Sequence, residues 1–265
     1  MQNHSLIQCQ QLIPQELPFD YHGDALDFEL SSGEVTSIIG PNYSGKGNWI
    51  RTICGLEDQA SGNIHINGIN TLDLSVEDWT KTRIKVAYLH EDTALLSAVN
   101  GLINVLIPAL YHKLDNKPEK QLLAEKALDL LADIDPEINL DDLPAYITKE
   151  HRYKIAIARA LLLEPDVLAL NNPFAHFNSD SKRQFQKFLS GRVEQGLSLL
   201  MVTHDIPYAL DISDKIIFAN RENLYHFNSS QAILNCDIAE VSEFLHRPEN
   251  QRRCAAYETT DESTK

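Results

Sequence analysis

Apolar positions along the first part of the chain change from a strand-like run to helical spacing. The segment 34–40, EVTSIIG, is rich in β-branched residues and ends in glycine. Apolar residues then recur at helical spacing at Trp49, Ile50, Ile53 and Leu56. This pattern predicts a buried strand, a glycine-rich loop and a helix, in that order.

Two further segments predict antiparallel hairpins. SGNIHINGINTL alternates around Asn67 and Gly68, the pair favoured by a two-residue type I′ turn. After residue 214, KIIFANRENLYHF predicts a closing hairpin, and SSQAIL and IAEVSEFL predict two short helices behind it. The first hairpin would form a small antiparallel addition to the main fold.

The middle of the chain predicts a helical insertion over about 92–162. Within it, residues 117–134 carry Pro118 near the start and apolar residues at helical spacing, and residues 150–163 form a second helical pattern. The apolar runs VLALN and SLLMVTHD follow as buried strands, the latter ending near His204. Alternating strands and helices of this kind indicate an α/β fold.

Composition narrows the class of protein. The chain has 265 residues, 43% of them hydrophobic, so it can form its own core, which we expect at 1–246 with a mobile charged tail at 247–265. The four cysteines form no CxxC pair, which fits a reducing cytoplasm. The longest apolar stretch, GLINVLIPALY, is too short to span a bilayer. A formal net charge of -15 argues against a nucleic-acid partner.

The loop after the first predicted strand has the spacing of a phosphate-binding P-loop. A P-loop cradles phosphates with backbone N–H groups and a lysine, and a Ser or Thr after that lysine meets Mg²⁺. Here the lysine is followed by Gly47, which has no hydroxyl to offer. The candidate phosphate-binding residues are Gly40, Pro41, Asn42, Tyr43, Ser44, Gly45, Lys46, Gly47 and Asn48.

Four segments together resemble the nucleotide-binding subunits of ABC transporters, in order and over nearly the whole chain. They are GPNYSGKGNWIRTICGLEDQASGNIHING, AYLHEDTALLSAVNGLINVLIPAL, ITKEHRYKIAIARALLLEPDVLALNNPF and LLMVTHD. The resemblance implies an α/β P-loop NTPase core of ABC type, with an antiparallel β subdomain and a helical insertion subdomain. It also implies ATP or ADP as the ligand.

The same resemblance assigns roles to positions where this chain departs from the family pattern. Glu91 stands where the family has a Gln that reaches the metal and the attacking water. Asn171 and Asn172 stand where the family has a metal-binding Asp and a Glu that activates water, and neither amide can take a proton near neutral pH. His204 matches the switch histidine, and Asn178 stands at the Asp of the D-loop. Mg²⁺ binding is therefore doubtful, and the two amides are best explained as structural hydrogen-bond formers.

The signature motif of the family, Leu-Ser-Gly-Gly-Gln, also differs here. Its two glycines, which let the backbone approach a γ-phosphate, are replaced by large charged residues. Glu150 would either oppose that phosphate or belong to an exposed helix start capped by Thr148; we favour the second interpretation. The positions are Ile147, Thr148, Lys149, Glu150 and His151.

The resemblance further implies an aromatic side chain that stacks on adenine, upstream of the P-loop. Phe19 and Tyr21 are both candidates, and the sequence does not choose between them.

These expectations add up to a transporter subunit with a damaged nucleotide site. By resemblance, the chain would bind nucleotide weakly, act as a scaffold or regulator, and sit on the inner face of the cell membrane through a transmembrane permease. It would pair with itself or with an intact ATPase subunit. The permease would dock around Glu91 to Asn104, and Mla-type ATPases of MCE lipid-transport systems are the most similar subfamily.

Two alternatives remain open. Glu91 could replace the missing ligand or base, which would make the chain a working ATPase with unorthodox residues. A soluble ABC protein acting on ribosomes or DNA fits less well, because such relatives generally carry paired cassettes or long coiled coils, and neither is visible here.

Overall fold

The computed structural model describes residues 5–18, 21–111, 117–247 and 250. The chain divides into two compact units, Met1–Ser75 with Ser198–Lys265 and Val76–Leu197. The strands are β1 (Ser5–Pro14), β2 (Leu26–Ser31), β3 (Val35–Ile39), β4 (Gln59–Ile66), β5 (Ile69–Asn70), β6 (Val86–Leu89), β7 (Val167–Asn171), β8 (Ser198–Val202), β9 (Lys215–Ala219) and β10 (Leu224–Phe227). The helices are α1 (Lys46–Ile53), α2 (Val76–Lys85), α3 (Gly101–Tyr111), α4 (Lys117–Ile134), α5 (Lys149–Leu161), α6 (Ser179–Glu194), α7 (Ile206–Ile212), α8 (Ser230–Leu234) and α9 (Ala239–Leu245), with 3-10 turns at Thr71–Asp73 and Pro144–Tyr146.

The first unit contains an antiparallel sheet in the order β2-β1-β4-β5. The turn between β4 and β5 places Asn67 at φ +50° and Gly68 at φ +79°. Both angles are positive, as a type I′ turn requires. The predicted small antiparallel addition is therefore confirmed.

The same unit contains a second set of strands around β3. This strand runs parallel to both β8 and β9, and β10 pairs antiparallel with β9 as the predicted closing hairpin. Every residue of β3 is buried, in agreement with a strand covered on both faces. Behind it, β9, β10 and the C-terminal helices share one apolar core that includes Ile39, Ile206, Ile216, Phe218, Phe227, Ile233, Val241 and Phe244.

The second unit combines a parallel strand pair with packed helices. β6 and β7 are in register from Val86 opposite Val167 to Leu89 opposite Leu170, so their carboxyl ends lie side by side. The helices α3, α4 and α5 pack on one another. These three helices are the predicted helical insertion.

Two of the helix predictions agree with the structure to within two residues, whereas α1 ends at Ile53, three residues before the predicted Leu56. Residues 117–134 form α4, and the helix predicted at 150–163 is observed as α5 at Lys149–Leu161. Among the described residues, no helix is both long and apolar enough to cross a membrane. The predicted tail falls mostly on residues 248–249 and 251–265, outside the described part of the chain.

Candidate functional site

The turn between β3 and α1 can be built only with glycine at its two key positions. Gly40 has φ +143°, and a Cβ atom there would lie 2.0 Å from the backbone oxygen of Ala219. Gly45 precedes α1 with φ +82°, a left-handed angle that glycine adopts without steric cost. The glycine spacing of the sequence is therefore a geometric requirement of this loop.

Lys46 folds back over the loop that precedes it. Its Nζ atom donates hydrogen bonds to the backbone oxygens of Gly40, at 2.9 Å, and of Pro41, and to Ser44 Oγ at 3.3 Å. The side chain is 6% exposed, and burial lowers the pKa of Lys46 to about 8. Its three N–H donors are thus all turned toward oxygens of the loop itself.

The start of α1 is suited to an anion. No side chain caps the helix, and its first turn contains no acidic residue, so the helix dipole and the lysine charge favour a bound phosphate. Asn48 N donates to Gly45 O at 2.9 Å, which closes the first turn. Ser44 is buried, whereas Tyr43 is 84% exposed at a left-handed φ of +62°. These residues fit the phosphates of a nucleotide, but Gly47 provides no hydroxyl for a metal.

In the second unit, the predicted Glu91, Asn171 and Asn172 come together at the carboxyl ends of β6 and β7. Asn171 Nδ2 donates to the hydroxyl of Tyr88 at 3.4 Å, and Asn172 Nδ2 donates to Glu91 Oε2 at 3.2 Å. Asn172 has φ +54°, an angle that asparagine tolerates better than most residues. Both amides therefore make side-chain hydrogen bonds, and their structural role stays a prediction.

This donor set is poor for a divalent cation, which prefers several charged oxygen ligands. Asn171 and Asn172 offer neutral amides, and Glu91 is the carboxylate of this group. Over the described part of the chain, no three His, Cys, Asp or Glu side chains are grouped so that they could hold a metal. If Mg²⁺ enters with a nucleotide, Glu91 is the residue of this cluster that would hold it.

The signature segment begins α5, and its geometry corrects one of the two interpretations of Glu150. Thr148 Oγ1 accepts a hydrogen bond from His151 N at 3.1 Å, which confirms the predicted cap. Ile147 is buried, and Thr148 and Lys149 are exposed. Glu150 is bonded to Lys154 Nζ at 2.6 Å instead of being free to oppose a phosphate.

Lys154 is the centre of an ion-pair network that the sequence did not reveal. It is 3% exposed and also donates to Asp135 Oδ2 at 2.7 Å. Burial lowers the pKa of Lys154, but its hydrogen bonds to Asp135 and Glu150 outweigh that effect, so the net shift is upward. Burial also disfavours the charged form of Asp135 and so raises its pKa. Hydrogen bonds from Lys154 and the Glu137 amide outweigh this effect and hold the pKa of Asp135 below its usual value. The i, i+4 spacing of Glu150 and Lys154 was the available signal.

The remaining predicted residues are placed as follows. His204 follows β8 and is partly exposed, and Asn178 caps α6 by accepting from the amides of Asp180 and Ser181 at 3.0 Å each. Tyr21 packs edge-on against Trp49 and donates to Asp24 O. Phe19 lies outside the described residues.

The predicted docking segment, Glu91 to Asn104, is an irregular loop followed by the first turn of α3, and two side chains hold it. Arg159 donates to the backbone oxygens of Thr93 and Ala94 at 2.7 and 3.0 Å. Asn104 is fully buried, and its amide binds both the N–H and the C=O of Leu96 and the carbonyls of Val99 and Asn100. Asn104 therefore fixes the conformation of the loop from a buried position and is not itself part of an exposed docking surface.

The predicted site residues thus form two sets, each within one unit. The P-loop and His204 belong to the first unit, and Glu91, Asn171, Asn172, Asn178 and the signature segment belong to the second. The sequence missed Tyr88, Tyr153, Lys154 and Asn104. Lys154 and Asn104 bond residues close in sequence, Glu150 in the first case and Leu96, Val99 and Asn100 in the second. Tyr88 and Tyr153 act through residues brought close by folding.

Comparison with solved structures supports the fold. Two dimeric structures of the ATP-binding cassette MJ0796, one in a post-hydrolysis state with ADP and Pi, superpose with TM-scores of 0.72 and 0.73. Each covers 84% of this chain and 98% of the other, at 22% and 23% sequence identity. The predicted α/β P-loop fold of ABC type, with an antiparallel sheet and a helical subdomain, is confirmed.

Sequence comparison gives the family. A sulfate/thiosulfate import ATP-binding protein CysA 2 of Shewanella oneidensis is 30% identical over 202 residues, covering 75% of this chain and 55% of that protein. The glutamine transport ATP-binding protein GlnQ of Escherichia coli is 26% identical over 221 residues, covering 83% and 90%. The chain thus spans little more than half the length of the sulfate-import relative. The model of the ABC transporter family matches residues 24–175, and the chain belongs to that family.

Proposed function

We propose that this chain is the nucleotide-binding subunit of an ABC-type membrane transporter and that it hydrolyses ATP very slowly or not at all. The observation that carries the second part is the hydrogen bonding of Asn171 and Asn172. At the end of β7, where the family resemblance expects two carboxylates, there are two amides engaged with Tyr88 and Glu91. An amide cannot act as a general base near neutral pH.

The size of the defect follows from the missing base. Loss of general-base assistance costs about 10²- to 10⁴-fold in rate, or roughly 3 to 5.5 kcal/mol of barrier. Gly47, which gives no hydroxyl to a metal, adds to the loss. ATP or ADP would still bind through the P-loop, but weakly, because Lys46 must give up loop oxygens to reach a phosphate.

Partners follow from the family. We propose a permease as the membrane partner, which would hold the chain on the inner face of the membrane, and a dimer with itself or with an intact ATPase subunit. The MJ0796 cassettes of similar fold are dimeric. Exposed apolar side chains on the loop and on α3 suit a protein partner: Leu96 is 54%, Ile103 40% and Leu110 49% exposed.

One observation favours a second candidate, a working ATPase in which Glu91 replaces the base. Its carboxylate is the anionic group of the cluster at β6 and β7, and Asn172 holds it in place. On this alternative, hydrolysis would be measurable and lost on substitution of Glu91.

The substrate class is a further proposal. The resemblance to Mla-type ATPases favours lipid transport, whereas the related proteins named above import sulfate or thiosulfate, or transport glutamine. Purification of the chain with its permease, followed by analysis of the bound phospholipid, tests the lipid proposal. A permease complex free of phospholipid contradicts it.

Steady-state hydrolysis and calorimetry together test the main proposal. Wild-type protein, Lys46→Ala and Asn171→Asp/Asn172→Glu would be assayed alone and with the permease, and ATP binding would be measured with and without Mg²⁺. We expect weak binding that Lys46→Ala reduces further, with a wild-type rate close to background. A brisk wild-type rate that depends on Lys46 contradicts the slow-hydrolysis proposal, and if Glu91→Gln abolishes that rate, the second candidate holds.

A further inference from the structure

Tyr153, on α5, is a buried side chain whose hydroxyl has no partner among the described residues. It is 1% exposed, and its ring packs nearly perpendicular to Phe177 and Phe185, with centroid distances of 5.8 and 6.1 Å. The ring is thus fixed by aromatic contacts. Its Oη atom makes no hydrogen bond to any other described residue.

An unpaired buried hydroxyl is costly. Leaving such a donor without an acceptor costs about 1 to 3 kcal/mol, and a phenylalanine would give the same ring packing without that cost. Buried polar groups in native proteins are almost always satisfied by protein or by ordered water. The hydroxyl of Tyr153 therefore needs a partner.

The surroundings indicate where that partner lies. α5 packs against β6, whose last residues include Tyr88, and Glu91 follows two residues after the strand. Arg159, on the same helix, donates to the backbone oxygens of residues 93 and 94, so α5 lies beside the loop that contains Glu91. Burial raises the pKa of Tyr153, and Tyr88 and Glu91 raise it further, in agreement with that placement. A donor and a carboxylate thus face the same small region.

Glu91 has acceptor capacity left in that region. A carboxylate offers about four lone-pair positions, and among the described residues Glu91 accepts from Asn172 alone, on Oε2. We propose that an ordered water molecule bridges the Tyr153 hydroxyl and the Glu91 carboxylate, so that Tyr153 and Asn172 are the two positioning residues of Glu91. The water accepts from Tyr153 and donates to Glu91.

The consequence concerns the cluster at the ends of β6 and β7. A carboxylate held from two sides presents its charge at one fixed position instead of sampling several rotamers. Whether that charge binds a cation that accompanies a nucleotide rests on the proposed function. The positioning itself does not, and it can be tested without any ligand.

Urea unfolding of the full chain gives the test. The test variants are Tyr153→Phe, Glu91→Ala and the double variant. Tyr208→Phe, made alone and together with Glu91→Ala, is the matched control, because Tyr208 is equally buried in the other unit. With Glu91 present, Tyr153→Phe should raise the equilibrium constant for unfolding about tenfold, equivalent to a loss of about 1.4 kcal/mol of stability. With Glu91→Ala, that loss should shrink toward zero, whereas the loss caused by Tyr208→Phe should be the same in both backgrounds.

Two results would overturn the water bridge between Tyr153 and Glu91. If the hydroxyl is a true orphan, Tyr153→Phe is neutral or stabilising in both backgrounds, and the proposal is overturned. A high-resolution crystal structure with no water between Tyr153 and Glu91 overturns it as well.

A nucleotide measurement separates positioning from a purely structural role. Tyr153→Phe should shift the ratio of ATP affinities with and without Mg²⁺ toward the ratio found for Glu91→Ala. An unchanged ratio, measured in protein that still binds ATP, contradicts the positioning role. Absence of ATP binding in the wild type refutes the proposed function, and the unfolding measurements still decide whether the bridge exists.

Discussion

Asn172 donates a side-chain hydrogen bond to Glu91 at 3.2 Å, and it does so from a backbone angle of φ +54°. The neutral amide is therefore matched to its neighbour's negative charge, and asparagine is matched to the left-handed backbone. A glutamate at position 172 would lose both advantages. The first prediction concerns variants that change the amide at position 172 and the carboxylate at position 91.

Asn172→Glu should destabilise the chain by roughly 2 kcal/mol at pH 7, because two carboxylates would lie side by side at partial exposure. The double variant Glu91→Gln/Asn172→Glu should recover most of that loss by restoring one amide and one carboxylate. Urea unfolding at pH 7 and pH 4 measures both effects. The loss should be much smaller at pH 4, where carboxyl groups take up protons; an equal loss at both values would mean that backbone strain at position 172 dominates.

Lys46 gives a prediction on pH. Its pKa of about 8 reflects burial, so the ammonium loses its proton above pH 8, and ATP affinity should then fall by up to about tenfold per pH unit. Stability changes in the opposite sense: below pH 8 the buried charge is present in full and costs free energy, and that cost disappears as pH rises from 8 toward 10.5. Calorimetry at pH 7, 8 and 9 tests the affinity, with Lys46→Ala as the control; its residual binding should not follow the same titration.

The Lys154 network should dominate the stability of the signature segment. Lys154→Met leaves Asp135 and Glu150 without their cation and should cost about 2 to 3 kcal/mol, whereas Lys81→Met, which removes an exposed pair with Glu77, should change little. The pKa of Asp135 is lowered and that of Lys154 is raised. The network therefore stabilises at neutral pH, and its contribution is lost as pH falls below the ordinary range of Asp or rises above that of Lys. Unfolding curves of wild type and variant that stay parallel across these pH limits would contradict this account.

Asn104 should control the order of the docking loop. Asn104→Ala leaves the N–H of Leu96 and the carbonyl of Val99 without their side-chain partner, whereas the carbonyls of Leu96 and Asn100 keep backbone donors. It should cost about 2 to 3 kcal/mol. Hydrogen exchange of residues 92–100 should speed up markedly. Asn100→Ala, which removes one bond to the Ile103 amide, is the matched control and should have a smaller effect. Unchanged exchange in Asn104→Ala would show that Arg159 alone holds the loop.

Much of the fold was readable because its signals are local. The β-branched run before Gly40 predicts β3, the glycine spacing predicts the P-loop turn, and the Asn67-Gly68 pair predicts the hairpin that the structure shows. Thr148 was likewise recognisable as a cap from its place before α5. Each of these signals is contained within a few residues, where backbone sterics and periodicity decide the outcome.

Other elements had no such local signal. β1 carries register shifts against both of its neighbours, which disturb the period-two pattern that identifies a strand. The helix α6 was not predicted either, although its Asn178 cap is visible once the boundary is known.

The sequence by itself determined the family resemblance, the P-loop and the identities of the residues at the working positions. Only the tertiary structure decided what those residues do for one another. Glu91 and Asn172 are 81 positions apart, Lys154 is joined to Asp135 across two helical segments, and Tyr153 on α5 packs against Phe177 and Phe185. Hydrogen bonds and buried charges depend on distances of a few ångströms between such residues, and no periodicity along the chain encodes them.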